Sequence, residues 1–233
     1  MEPTPRKNCL LAALPADDYQ RLLPHLEPVA MRAGSRLHSA GRPEPYLYFP
    51  TEGTVARVCT TAQGEAAEFA LTGREGAVGI AAFLSGTGSA TEARVVGAGH
   101  AFRVRADAVR REFEHGGVLP DLLIRYTGDL IAQAGQSAIC GRFHTLEQRL
   151  CRWILSHLDR SASDEIAATQ ELLAEMLGVR REAVTRVLGG LRREKLIRSS
   201  RSRIVVLDRA GLRARACECY GALRRTSAGL ARE

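Results

Sequence analysis

The longest run without a charged side chain, Gly76 to Thr91, is short and glycine-rich, too short for a membrane-spanning helix. The opening MEPTPRKN has no apolar signal core, so a cytoplasmic location with no membrane partner is expected. Six cysteines are scattered at positions 9, 59, 140, 151, 217 and 219 without metal-knuckle spacing, and free thiols are the default for such a chain. There is no glycine-lysine phosphate loop, no serine nucleophile elbow and no paired-histidine metal motif, so catalysis is not expected.

Charge is plentiful, and it is segregated. Residues 1–144 carry fifteen basic and fifteen acidic side chains, whereas residues 145–233 carry eighteen and eleven. The whole net charge of +7 therefore falls in the C-terminal part, and the window 180–203 alone holds nine basic against two acidic residues. A basic patch confined to one region is the footprint of phosphate binding. Within it, Thr169 to Arg193 reads as helix, tight turn, helix. Thr169 is placed to cap the first helix. Leu172, Leu173, Met176 and Leu177 form its apolar face, and Gly178 supplies the turn. The second helix has Val184, Val187, Leu188 and Leu191 on one side and Arg180, Arg181, Glu182, Thr185, Arg186 and Arg193 on the other. Arginine can grip guanine through two hydrogen bonds and glutamate can accept from cytosine, so this face suits the major groove. The competing reading, a helical hairpin with a solvated charged face, is less economical because turn, stripe and charge agree.

The stretch Gly178, then Arg181-Glu182-Ala183-Val184-Thr185-Arg186, then Glu194-Lys195-Leu196-Ile197 resembles the helix-turn-helix of the cyclic-AMP receptor protein and fumarate-nitrate regulator (Crp/Fnr) superfamily of bacterial transcription factors. The resemblance implies that Arg181 and Glu182 read base edges and that Arg186 adds a base or phosphate contact. Arg180 stands where the family has a small hydroxylic cap, so that cap is lost. Leu196 to Arg198 and Arg203 to Leu207 flank a turn and read as a wing, with Arg201 and Arg203 able to reach flanking phosphates. Thr169, Arg180, Arg181, Glu182, Thr185, Arg186, Arg201 and Arg203 form the candidate DNA-binding set. The partners expected are double-stranded DNA with a two-fold-symmetric site and a second copy of the chain, with RNA polymerase added if regulation is by activation.

Residues 29–105 read as short strands punctuated by glycine. Gly34, Leu37, Gly41, Tyr46 to Phe49 and Gly53 resemble the opening of the family's cyclic-nucleotide-binding β-roll. The expected class is therefore α+β, a β-roll followed by a long central helix and a winged helix-turn-helix. The expected divisions are a sensor region over 1–117, a central dimerisation helix over 118–144, a DNA-binding region over 145–220 and a tail over 221–233. The family's nucleotide cassette pairs a glutamate with the ribose and an arginine with the phosphate. Here Ile80 follows Gly79, and no arginine stands at the phosphate position. Without a cation, phosphate burial goes uncompensated, so cyclic AMP is not the expected signal. Gly79, Ile80, Phe83, Leu84, Ser89, Thr91 and Arg94 remain the candidate pocket, for an uncharged ligand or as a packed remnant.

The long helix carries Leu119, Leu122, Leu123, Tyr126, Leu130, Ala134 and Ala138 at helical spacing, read as a dimer seam, with packing on the β-roll as the alternative. Cys140 and His144 are four apart, but no third ligand lies near in sequence, so no metal or other cofactor is expected. The thiols of Cys217 and Cys219 are too close for an unstrained disulfide and are read as packed or free. A second functional reading is a metal- or haem-containing redox sensor, with His38 or His100 as haem ligand and a basic region that docks to an acidic partner. Asp208 to Ala216 is read as the final helix, with Thr226 to Glu233 frayed.

Overall fold

In a computed structural model the chain is described over residues 4–161 and 163–229. After a 3-10 turn, α1 (Cys9–Ala12) and α2 (Ala16–Leu22) lead into the β-roll strands β1 (Glu27–Met31), β2 (Arg36–His38), β3 (Tyr46–Pro50), β4 (Thr54–Thr60) and β5 (Ala66–Thr72). A short helix α3 (Ile80–Ser85) precedes β6 (Glu92–Gly97) and β7 (Gly99–Arg105), and α4 (Ala106–His115) closes this part. Two antiparallel sheets result, in the orders β1-β7-β3 and β2-β6-β4-β5. Inward residues such as Leu47, Phe49, Val55 and Val95 are fully buried, as expected where apolar positions alternate across facing sheets.

The long helix α5 (Leu119–Phe143) follows. Leu119, Leu122, Leu123 and Tyr126 join one core cluster with Leu10, Phe49, Ile80 and Val104 of the sensor region, and Leu130 packs against it. Tyr126 Oη lies 2.8 Å from Thr72 Oγ1, and Gln133 Oε1 accepts the Leu71 amide at 3.1 Å. The helix thus covers the edge strand β5, and its leucine face is occupied by its own β-roll. The seam expected for a second chain is corrected accordingly: Ala134 is half-buried, and Ala138 alone of the seven is exposed.

Beyond His144 come α6 (Leu146–Leu158), β8 (Glu165–Ile166), α7 (Gln170–Leu177), α8 (Arg181–Arg193), β9 (Ile197–Ser199), β10 (Ile204–Val206), α9 (Arg209–Arg215) and α10 (Cys219–Gly229). Thr145 and Gln148 form the reciprocal capping box that their spacing predicts. Strand order β8-β10-β9 gives the wing. Trp153 sits at the centre of the C-terminal core and donates through Nε1 to Glu68 Oε2 of β5 at 3.0 Å. Two expectations change here. The helix ending at Arg215 is not the last, since α10 continues to Gly229, so residues 226–229 are helical; residues 230–233 lie outside the described region. The turn into α10 also brings Cys217, and with it Cys219 at the helix start, close to Cys140 and His144, neighbours that sequence proximity did not announce.

Candidate nucleic-acid interface and signal site

The helix-turn-helix is built from its ends inward. Thr169 Oγ1 accepts the Leu172 amide at 3.1 Å, capping α7. Gly178 adopts φ 62° and ψ 46°, the left-handed conformation that releases the chain toward α8. Arg149 of α6 donates to the Leu177 carbonyl, holding the turn against the domain core. Val184, Leu188 and Leu191 are buried, and Arg180, Arg181, Glu182, Thr185 and Arg186 are exposed. Arg180 begins α8 without a side-chain cap, as its substitution for a hydroxylic residue implies. Arg181 Nη1 rests 2.8 Å from Glu171 Oε1, with both side chains more than half exposed. Such a pair contributes about 0–1 kcal/mol and is readily exchanged for a base edge. Thr185 Oγ1 donates to Gln170 Oε1 at 2.6 Å, fixing α8 against α7. On the wing, Arg201 is exposed at the tip and Arg203 pairs with Glu165 at 2.8 Å. Seven of the eight candidate residues therefore present their side chains outward around one helix and one wing, while the Thr169 hydroxyl serves as the cap.

Only part of the candidate pocket comes together, with Gly79, Ser89 and Thr91 beside Glu44 and His38. Ile80 and Phe83 are buried in the core shared with α5, Leu84 is exposed, and Ser89 and Thr91 bond to each other at 2.9 Å. Arg94 lies apart from them. Its Nη1 reaches Glu175 Oε2 of α7 at 2.5 Å, and its Nε lies 2.8 Å from Glu92 Oε1. It clamps the β-roll to the DNA-binding region instead of facing a ligand.

Sequence reading missed a polar trio inside the roll. Arg57 on β4 is 1% exposed, His38 is buried, and His38 Nε2 lies 3.3 Å from Glu44 Oε1. Arg57 Nε and Nη1 have no hydrogen-bond partner among the described residues, whereas Ser89 bonds the Glu44 carboxylate and the Thr91 backbone bonds His38. Burial holds the His38 imidazole down to about 4, with Arg57 adding to the effect. Burial raises the Glu44 carboxyl and lowers the Arg57 guanidinium, with each opposing the other's shift. The alternation along Thr54 to Thr60 could have pointed to Arg57, but a β-bulge between Arg57 and Val58 breaks the register. His100, the other histidine considered, is exposed beside Glu52.

A β-roll joined by a long helix to a winged helix-turn-helix with an exposed basic face defines a DNA-binding regulator of two-part design. The Crp-like helix-turn-helix domain matches residues 148–215, and the cyclic nucleotide-binding domain matches residues 28–115. The chain belongs to the Crp/Fnr family of transcription regulators. Its fold resembles that of a protein from Eubacterium rectale assigned to the crp/fnr family of transcriptional regulators, at 15% identity and a TM-score of 0.71 over 88% of this chain and 96% of that one. It resembles FixK2 from Bradyrhizobium japonicum at 17% and 0.70, over 82% and 98%. A CRP/FNR-family transcriptional regulator from Thermus thermophilus matches at 25% and 0.66, over 82% and 98%. No curated protein sequence matches the chain.

Proposed function

We propose that two copies of the chain pair along α5 and set their α8 helices into successive major grooves of a two-fold-symmetric DNA site. In this reading the protein regulates transcription in the cytoplasm and catalyses nothing. The carrying observation is the outer face of α8: Arg180, Arg181, Glu182, Thr185 and Arg186 are all exposed while the opposite face is buried. Arg181 and Glu182 would read bases, Arg186 a base or phosphate, and Arg201 and Arg203 the flanking phosphates.

The pairing face would be the stripe that the β-roll leaves uncovered. Ile124, Ile131, Ile139 and Phe143 are 55%, 69%, 52% and 75% exposed. Gly128 and Gly135 face open space among the described residues, so a partner helix could approach closely there. The recurrence of Ile124, Gly128, Ile131, Gly135 and Ala138 at alternating steps of four and three is a coiled-coil seam.

The signal, in this reading, acts on residues 1–117 and is not cyclic AMP. Ile80 occupies the glutamate position and is spent in the core. A polar effector entering the roll would meet Arg57, His38 and Glu44. The test is selection of DNA from a random pool with purified protein and no added ligand, followed by salt titration. A two-fold-symmetric site is expected, with Arg181→Ala weakening it by about 1–3 kcal/mol and relaxing one base pair per half-site. Wild-type selectivity in Arg181→Ala would remove that residue's reading role. Binding that is salt-labile and indifferent to sequence would favour a docking domain over a sequence reader.

A further inference from the structure

Four potential metal ligands from distant parts of the sequence converge behind the DNA-binding region. Cys140 and His144 are one turn apart at the end of α5, while Cys217 and Cys219 flank Glu218 at the start of α10. One ligand atom from each, three thiol sulfurs and an imidazole nitrogen, lies within 4.8 Å of all the others. We propose that these four side chains bind one zinc-class divalent ion in a tetrahedral Cys3His site, and that the ion locks the joint between the central helix and the DNA-binding region.

The distances fit a single ion. With zinc–sulfur bonds of about 2.3 Å and zinc–nitrogen bonds of about 2.0–2.1 Å, tetrahedral ligand atoms stand about 3.5–3.8 Å apart. Cys140 Sγ lies 3.5 Å from Cys217 Sγ, and Cys219 Sγ lies 3.5 Å from His144 Nδ1. A disulfide requires about 2.05 Å, so Cys140 and Cys217 are not bonded to each other. An iron–sulfur cluster would hold its thiolates farther apart than one ion does. The remaining ligand atoms need shifts of about an ångström at most to complete the tetrahedron.

The surroundings suit a metal better than a packed core. Among the described residues the three cysteines form a buried cluster of their own. His144 turns Nδ1 toward the sulfurs and Nε2 toward Glu218 Oε1, 3.1 Å away. A carboxylate on the far nitrogen fixes the tautomer whose other lone pair can bind the ion. Gln136 Nε2 donates to Cys219 Sγ at 2.9 Å, a bond that favours thiolate. Three thiolates and a neutral imidazole around a divalent ion leave one negative charge. The guanidinium groups of Arg149 and Arg152 interact electrostatically with this cluster and offset it. Loading the site releases three thiol protons to solvent.

The site has a mechanical consequence. Its first two ligands precede the joint at Thr145 and its last two follow α9, so the ion would close a loop around α6 to α9. The base of the DNA-binding region would then be fixed to the helix proposed to pair with a second copy. This inference stands independently of which DNA sequence, if any, α8 reads.

The test uses the full-length reduced chain. Elemental analysis after purification should find about one zinc per chain. After chelation, titration with Co(II) should produce thiolate-to-cobalt charge-transfer bands and the ligand-field bands of a tetrahedral ion, saturating at one equivalent and bleached by zinc. Cys217→Ser and His144→Ala should lose or alter those bands, while Cys59→Ser, at an exposed thiol outside the site, should keep them. Glu218→Gln should weaken zinc affinity about 10–100-fold. Should Cys217→Ser fail to fold, the wild-type cobalt spectrum decides alone. Absence of both purified metal and cobalt bands in the reduced chain would overturn the proposal, as would stoichiometric iron with inorganic sulfide.

Discussion

Arg94 of β6 and Glu175 of α7, 81 residues apart, meet at 2.5 Å and tie the β-roll to the helix-turn-helix. The guanidinium also holds Glu92, so one side chain spans both regions. Arg94→Ala should loosen this contact and raise amide exchange in α7. A double-mutant cycle with Glu175→Gln, read from thermal stability, should return a coupling of about 0.5–3 kcal/mol. Strict additivity would mean that the pair transmits nothing between the two regions.

The two faces of α5 should respond differently. Leu123 is fully buried against the β-roll, and Leu123→Ala should destabilise the fold by about 2–5 kcal/mol. Ile131 is exposed, and Ile131→Glu should leave chain stability within about 0.5 kcal/mol while converting a dimer to monomer in sedimentation and weakening DNA binding. A dimeric Ile131→Glu protein would place the seam elsewhere.

Inside the roll, Arg57 and Glu44 offset each other's buried charge. Arg57→Met or Glu44→Leu alone should destabilise by about 2–4 kcal/mol by leaving one charge uncompensated, and the double variant should recover much of that loss. Melting curves of the three variants measure it. Equal losses that simply add would show that the two groups do not share a field.

Glu68 makes the contact with Trp153 sensitive to pH. Burial pushes its carboxyl up to about 7, against an ordinary 4.5, with Arg152 and the Trp153 hydrogen bond opposing. Because the folded value is raised, its stabilising contribution is complete below pH 4.5 and is lost as pH rises through 7. His157, stacked on Trp153, is held by burial down to about 3. Its contribution is present above pH 6.5 and is lost as pH falls toward 3. The two trends oppose each other between pH 4.5 and 6.5, so the useful measurement is the difference between Glu68→Gln and wild type. After allowance for partial solvent contact, that difference should be near zero at about pH 4.5 and about 1–2 kcal/mol in favour of the variant at about pH 8. A pH-independent difference would mean that Glu68 does not titrate in this window.

Elements whose signals are local were legible in the chain before it folds. Gly178, Thr169 and the capping box Thr145–Gln148 act within a few residues of themselves, and each appears where its spacing predicts. The same holds for α5, whose expected span of 118–144 lies within a residue of the observed limits. The basic face of α8 was legible because amphipathicity is written at a fixed period. Tertiary structure decided the rest, because those questions turn on which distant surfaces meet. Periodicity identified the leucine stripe of α5 but could not say whether a second chain or the β-roll would bury it; the roll's core does. Arg94 lies beside the cassette in sequence, yet strand direction sends it to α7. Arg57, beside a bulge, entered the interior without a clean alternation to announce it. The four metal-ligating side chains could be seen only as a pair and a pair, since their convergence depends on how α10 packs against α5.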